Sequence, residues 1–504
     1  MIITATKLYN YIQCPHRVWR DIYGPQDEKR DEDNLFLQML WERGVLHEKN
    51  IVDKLGSFKN VTEGTLDERF CATTQAMDAG VELIYQGVIK HGNLLGIPDL
   101  LKRVDAGCYI PIDIKSGRGY GDFSDESKEK YKKHYAVQLC LYVDILQGLG
   151  CAQENKGIII DGQGEYVDYA LDNAMGVRTS KTHWELYEEI KQYVAELISN
   201  QKQNVPALGS VCKQCVWYES CKKWCYAQDD ISKLFYLGRS LRDALNTVFN
   251  LQTTRDISDA SLEDLMAIRT REKERLKGTK LGEKTLTSIY KRAQVLNVRK
   301  LPVAYEKISF PEVETELYLD IEDDPMQGIV YLHGIWEKQG DKTRFVSFVA
   351  ASNDTAGEKE AFRKLWKYLK SFEGKSHAIY YYSNHEKSTY KGLSEEYPDV
   401  VTPGEVDAYF EKKHVIDLYY DVILSKTDWP LPSYSLKAIA TYIGFTWRDE
   451  NPSGATSIQW YFDYCQTQKK TILDRILKYN EDDCVASMVI KEYLTKMPKE
   501  SVLI

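Results

Sequence analysis

Cys212, Cys215 and Cys221 follow one another in a C-x2-C-x5-C spacing, and a fourth cysteine, Cys14, lies far upstream. Thiolates are soft ligands, and four of them suffice to close one metal centre. A site built from Cys14, Cys212, Cys215 and Cys221 draws the two ends of the first 225 residues together, so the segment between them must fold back on itself as one domain. Cys225 offers a competing quartet, in which Cys212, Cys215, Cys221 and Cys225 hold zinc without Cys14.

At 504 residues the chain is long enough for two to four domains of roughly 100–200 residues, each with its own core. No stretch approaches the roughly 18 apolar residues of a membrane span, and Met1-Ile-Ile-Thr-Ala-Thr lacks the basic region and apolar core of a secretory signal. The expected location is cytoplasmic, with no membrane partner. There thiols stay reduced, and eleven cysteines read as thiols and metal ligands rather than disulfides. A formal charge of −9 argues against a uniformly basic, nucleic-acid-coating surface. It leaves room for local phosphate contacts from Lys128-Glu-Lys-Tyr-Lys-Lys-His134 and Arg269-Thr-Arg-Glu-Lys-Glu-Arg-Leu-Lys277, segments that also suit plain solvated helix faces.

Patterning divides this α/β chain into three. Residues 1–225 alternate helical and strand signals, 226–310 are charged and helical, and 311–504 open with three strand-like runs, Glu316-Leu-Tyr-Leu-Asp-Ile-Glu322, Gly328–Trp336 and Thr343–Ala350, before turning helical. No solenoid repeat or low-complexity linker separates the parts.

In the first part, Thr4 can cap a helix with Leu8, Tyr11 and Ile12 on one face, ending at Cys14 before Pro15. A second helix carries His47. Gly96-Ile-Pro-Asp99 and Tyr109-Ile-Pro-Ile-Asp113-Ile-Lys115 read as two neighbouring strands, and period-two alternation turns Asp113 and Lys115 to one face. Carboxylates there suit a hard cation that activates water, with Lys115 beside it. Gln138 and Tyr142, four apart, share a helix face and can contact phosphates or bases. Each signal alone is commonplace.

Taken in order, Cys14, His47, Pro98-Asp99, Asp113-Ile-Lys115, Gln138-x3-Tyr142 and the C-x2-C-x5-C run resemble the RecB family of PD-(D/E)XK nucleases, most closely its iron-sulfur branch of AddB-type repair nucleases and CRISPR-adaptation nucleases. The resemblance implies a restriction-endonuclease-like domain over 1–225, closed by a [4Fe-4S] cluster on Cys14, Cys212, Cys215 and Cys221. It also implies a catalytic Mg²⁺ or Mn²⁺ on His47, Asp99, Asp113 and the backbone carbonyl of Ile114. Sulfur ligation by itself admits zinc as well as iron-sulfur.

The middle part contains Leu276–Tyr290, where Gly282 opens a helix among basic residues. That arrangement resembles a degenerate helix-hairpin-helix, and reads equally as a helical spacer. The last part has a second acidic set: Asp320-Ile-Glu322 on one strand face, Glu386 after an aromatic strand, and Tyr479 one helical turn before Asp483. Four such carboxylates can cage two divalent ions, with Tyr479 placing the water. This region resembles DnaQ-like RNase H-fold exonucleases of the DEDDy kind, with one departure. Glu386 stands where that family has aspartate, which makes Asp417 the fallback ligand.

The tandem resembles predicted bacterial and archaeal RecB-like nucleases with a C-terminal RNase H-like domain, some attached to helicases. It implies a metal-dependent DNA exonuclease acting on single strands or ends in repair, recombination or defence. RNA, an RNA–DNA hybrid, or plain binding with one dead site are the competing expectations.

Overall fold

The computed structural model describes residues 1–30, 35–104, 107–121, 130–176, 179–324, 327–450 and 454–499. The chain divides into two compact units, one of Met1–Pro206 with Ser210–Lys223 and one of Ala207–Gly209 with Trp224–Ile504. The helical stretch after residue 225 belongs to the second of these.

The first unit is built on a six-stranded sheet whose spatial order follows the chain: β1 (Lys59–Asn60), β2 (Leu83–Tyr85), β3 (Leu100–Arg103), β4 (Tyr109–Ile114), β5 (Lys156–Ile160) and β6 (Tyr166–Ala170). β3 and β4 pair antiparallel, and β4 and β5 parallel. A parallel neighbour requires a crossover, which the helix Lys133–Gly148 supplies. That helix is apolar nearly all round, from Ala136 and Val137 to Ile145 and Leu146, and is buried accordingly. It packs between the sheet and the helices Ala5–Gln13 and His183–Ile198. Thr4 caps the first of these as its sequence suggests, its side chain accepting from Lys7 N, and Leu8 is fully buried. Cys14 sits at the break before the helix Pro15–Tyr23, which proline starts at its first turn.

The second unit begins with helices Gly238–Val248, Thr254–Asp259, Leu262–Arg271 and Glu283–Gln294, which close over a core including Leu245, Ile257, Leu265, Leu286 and Ile289. Gly282 does stand at the N-cap of the last of them. A five-stranded sheet follows, with β7 (Thr315–Asp324), β8 (Ile329–Gln339), β9 (Lys342–Val349), β10 (His377–Tyr381) and β11 (Val415–Asp417) in the order β9-β8-β7-β10-β11. β7, β8 and β9 form an antiparallel meander, whereas β10 and β11 run parallel to β7.

Alternation along β7 builds two cores at once. Leu317, Leu319 and Ile321 face the helix Thr355–Lys370 through Phe362 and Leu365, while Tyr318 faces Cys484 and Ile490 of the helix Lys470–Lys496. Asp320 and Glu322 continue the Tyr318 row. The pattern that buries the odd residues therefore presents two acids to the long C-terminal helix.

Candidate metal centres

The second unit holds the tighter acidic cluster. Asp320 and Glu322 come from β7 and Asp483 from the helix Lys470–Lys496, and one carboxylate oxygen from each lies within 4.8 Å of the others. Among the described residues this is the group so closed. Burial, and then mutual repulsion, holds Asp320 well above the usual carboxylate range and pushes Glu322 up to about 8. Burial raises Asp483 to about 6, against the nearby charge of Lys437 and hydrogen bonds from Trp447 and Tyr479. Three oxygen donors crowded in this way fit a hard divalent cation, whose charge would cancel the repulsion.

Neighbours hold each acid in place. Asn480 Nδ2 donates to Asp320 Oδ2 at 2.6 Å, and Trp447 Nε1 donates to Asp483 Oδ1 at 2.6 Å. The Tyr331 hydroxyl lies 3.4 Å from Glu322 Oε2 and also bonds Ser457. Gly334 pairs with Asp320 across β7 and β8, and a Cβ there would stand 1.7 Å from Asn480 Oδ1. Only glycine lets Asn480 reach Asp320.

Glu386 lies in the first turn of the helix Asn384–Glu396, 3% exposed, and its Oε2 receives no hydrogen bond among the described residues. Burial, with the charge of Asp417, holds its carboxyl well above the ordinary range, and its own charge is felt at Asp320. Ser383 caps this helix at φ 102°, a backbone position that non-glycine residues rarely adopt. Asp417 secures that turn. Its Oδ1 accepts from Ser383 N at 3.1 Å, Tyr419 N at 2.8 Å and Tyr420 N at 3.0 Å, so this oxygen anchors the segment that delivers Glu386. Tyr479 is buried one turn before Asp483 and accepts from Lys437 Nζ at 2.9 Å.

In the first unit, Asp99 immediately precedes β3, whose Leu100 pairs with Ile112 of β4, and Asp99 N lies 3.5 Å from Asp113 Oδ1. Asp99 Oδ2 accepts from Ile114 N at 2.7 Å, and Lys115 Nζ stands 2.7 Å from Asp113 Oδ2. Burial and the Asp113 charge hold Asp99 well above its ordinary value. Burial opposes the Lys115 charge, but Asp113 and Asp99 outweigh it and hold the amine above its usual value.

The helix Leu35–Val52 supplies two adjacent polar side chains with different fates. His47 Nε2 lies 3.1 Å from the Asp161 carbonyl. Glu48, which sequence reasoning passed over, is linked to Asp99 through Gln86, whose Nε2 lies 2.8 Å from Glu48 Oε1 and 3.0 Å from Asp99 Oδ1. Gln138 donates to Tyr142, and Tyr142 is 2% exposed with its hydroxyl 3.4 Å from the Ile97 carbonyl. Tyr142 thus lies within reach of the Asp113 charge but away from solvent.

The cysteines converge within the first unit. Burial lifts the Cys221 thiol to about 12, and Cys215, Cys14 and Cys212 are close enough to add to that rise while Arg20 counters it. Arg20 also bonds Glu28 and Ser220, and Trp217 Nε1 donates to Asp21 at 2.8 Å, fastening the 210–223 segment to the helix Pro15–Tyr23. Cys225 is fully buried in the second unit, where it accepts from Ser232.

Of the basic segments, Lys128 and Glu129 lie outside the described residues. In the other segment Arg269, Arg271, Arg275 and Lys277 all pair with glutamates. No helix among the described residues is long and apolar enough to cross a membrane.

A family model described as the RNase_H superfamily matches residues 317–495, the span from β7 through the Asp483 helix. No curated protein matches the chain. A solved structure titled "Crystal structure of SSO0001" matches over 44% of this chain and 86% of its own at 19% identity, with a TM-score of 0.21. The second unit therefore contains an RNase H-like domain, a class of divalent-metal-dependent nucleases whose substrates are nucleic acids.

Proposed function

We propose that the protein is a divalent-metal-dependent deoxyribonuclease with two hydrolytic centres, acting on single strands or DNA ends in repair, recombination or defence. The closure of Asp320, Glu322 and Asp483 carboxylates within 4.8 Å, next to Tyr479, carries this reading. When bound, Mg²⁺ or Mn²⁺ supplies charge that polarises a phosphoryl oxygen and lowers the pKa of water. Asp320, Glu322, Asp483 and the long side chain of Glu386 hold the ions. Asn480 and Trp447 keep two of those carboxylates from rotating away. Tyr479 offers its hydroxyl to the attacking water.

The first centre is a PD-(D/E)XK nuclease site of RecB type, in which Asp99 and Asp113, with His47 and the Ile114 carbonyl, hold a metal and Lys115 steadies the developing charge. The proximity of Asp99 to Asp113 at the start of the β3–β4 pair supports it, and Glu48 joins the set through Gln86. Gln138 and Tyr142 support this centre from the crossover helix. Cys14, Cys212, Cys215 and Cys221 hold a [4Fe-4S] cluster that clamps the domain's ends, and the mutual proximity of the thiols supports one site. Metal analysis of anaerobically purified protein separates iron-sulfur from zinc.

The test follows end-labelled single- and double-stranded DNA, with matched RNA and hybrid strands, in Mg²⁺ or Mn²⁺. Wild type is compared with Asp113→Ala, Asp320→Ala and the double variant. Stepwise loss on DNA is the expected result. Cleavage confined to RNA or hybrid strands would make the protein a ribonuclease, and tight binding without cleavage would make it a scaffold.

A further inference from the structure

Lys437 belongs to none of the acid motifs, yet its ammonium is placed inside the second centre. It lies in the first turn of the helix Leu436–Tyr442, which Ser435 caps and which packs on the helix Lys470–Lys496. Its Nζ is 2.9 Å from the Tyr479 hydroxyl, 4.7 Å from the centroid of the Tyr479 ring and 5.9 Å from that of Trp447. Two aromatic faces thus steady an otherwise flexible side chain. Trp447 in turn donates to Asp483, so lysine, tyrosine, tryptophan and aspartate form one connected group.

An ammonium has three donors and no acceptor, so in the 2.9 Å contact the tyrosine oxygen must accept. The single phenol proton is then left to point elsewhere, and the hydroxyl faces the Asp483 carboxylate. We propose that Lys437 is a positioning residue for Tyr479, donating into the phenol oxygen and so fixing that hydroxyl as a hydrogen-bond donor, to Asp483 until substrate arrives and then to the attacking water or the scissile phosphate, rather than as a proton acceptor. The idea rests on the nuclease reading of Asp320, Glu322 and Asp483. It adds that the tyrosine does not act as general base there.

The experiment uses the full chain carrying Asp113→Ala, so that only the second centre is read, with a single-stranded oligonucleotide and Mn²⁺. Lys437→Met keeps the stem and removes the donors, whereas Lys437→Arg keeps donors. Expected is a kcat loss of roughly 10- to 100-fold in Lys437→Met with KM changed by less than about twofold, substantial recovery in Lys437→Arg, and little further loss when Lys437→Met is added to Tyr479→Phe. Full multiplication of the Lys437→Met and Tyr479→Phe losses, or a loss expressed in KM alone, would overturn the proposal by showing that lysine contacts the substrate directly. Wild-type kcat in Lys437→Met would overturn it too. The nuclease reading is tested separately by adding Asp320→Ala to the Asp113→Ala chain: activity that survives this change sinks that reading, whatever Lys437 does.

Discussion

Asp113 meets the amine of Lys115 at 2.7 Å and Asp99 meets the Ile114 N–H, whereas Asp320, Glu322 and Asp483 chiefly face one another. The first centre carries its own counter-charge on the neighbouring strand position. Among the described residues the second has the offset cation of Lys437 and a few neutral donors, so further charge balance there would come from protons or from ions out of solution. Two acidic sites in one chain thus differ in how much they depend on a cation, and that difference is measurable.

The largest effect expected is on cleavage. Asp320→Ala and Asp113→Ala should each abolish its own share of activity, by about a thousand-fold or more for the affected products, since several kcal/mol of charge stabilisation is at stake. Product mapping on end-labelled strands distinguishes the shares. Complete loss from either substitution alone would break the comparison by showing a single coupled site.

Next comes the dependence of stability on pH and metal. Glu322 is raised to about 8 and Asp483 to about 6 in the metal-free fold. Between the ordinary carboxylate range and those values the unfolded chain has released protons that the folded chain retains. Stability should therefore fall as pH rises through about 4 to 8, and then level off. Divalent metal should reverse the fall, with a larger gain in melting temperature at pH 8 than at pH 6. Calorimetry with and without chelator checks the sign; a metal gain that shrinks as pH rises would contradict it.

Gly334→Ala is a smaller and sharper probe. Its methyl group must displace Asn480, at a cost of about 1–3 kcal/mol, and should lower activity of the second centre while sparing the first. Asn480→Ala should relieve the clash, which a double-mutant cycle would show. Smallest is Trp447→Phe, which removes one donor to Asp483 and should cost the second centre roughly tenfold or less.

How far the sequence anticipates this molecule depends on the range of the interaction. Period-two patterning places β7, β8 and β9 within a few residues, and the same alternation puts Asp320 and Glu322 on one face. Tyr479 and Asp483 are linked by one helical turn. Thr4, Gly282 and Pro15 mark helix starts through local capping chemistry. What the sequence conceals is long-range pairing. Asn480 reads as one more polar residue until it meets Asp320 over Gly334, and Lys437 as a surface lysine until its helix docks. Nothing local announces, either, that three backbone amides converge on one oxygen of Asp417. Glu48 and His47 are adjacent on a helix, and only the tertiary position of Gln86 tells which of them is tied to Asp99.

The separation of β7 from the helix Lys470–Lys496 has a consequence for synthesis. Asp320 and Glu322 emerge from the ribosome long before Asp483, by roughly ten to thirty seconds at about 5–20 residues per second. Throughout that interval the nascent chain displays half a cage, and nucleic acids near the translating ribosome meet a second centre that is not yet complete. The tyrosine and the closing aspartate arrive together on one helix, so the second centre is completed only when that helix docks.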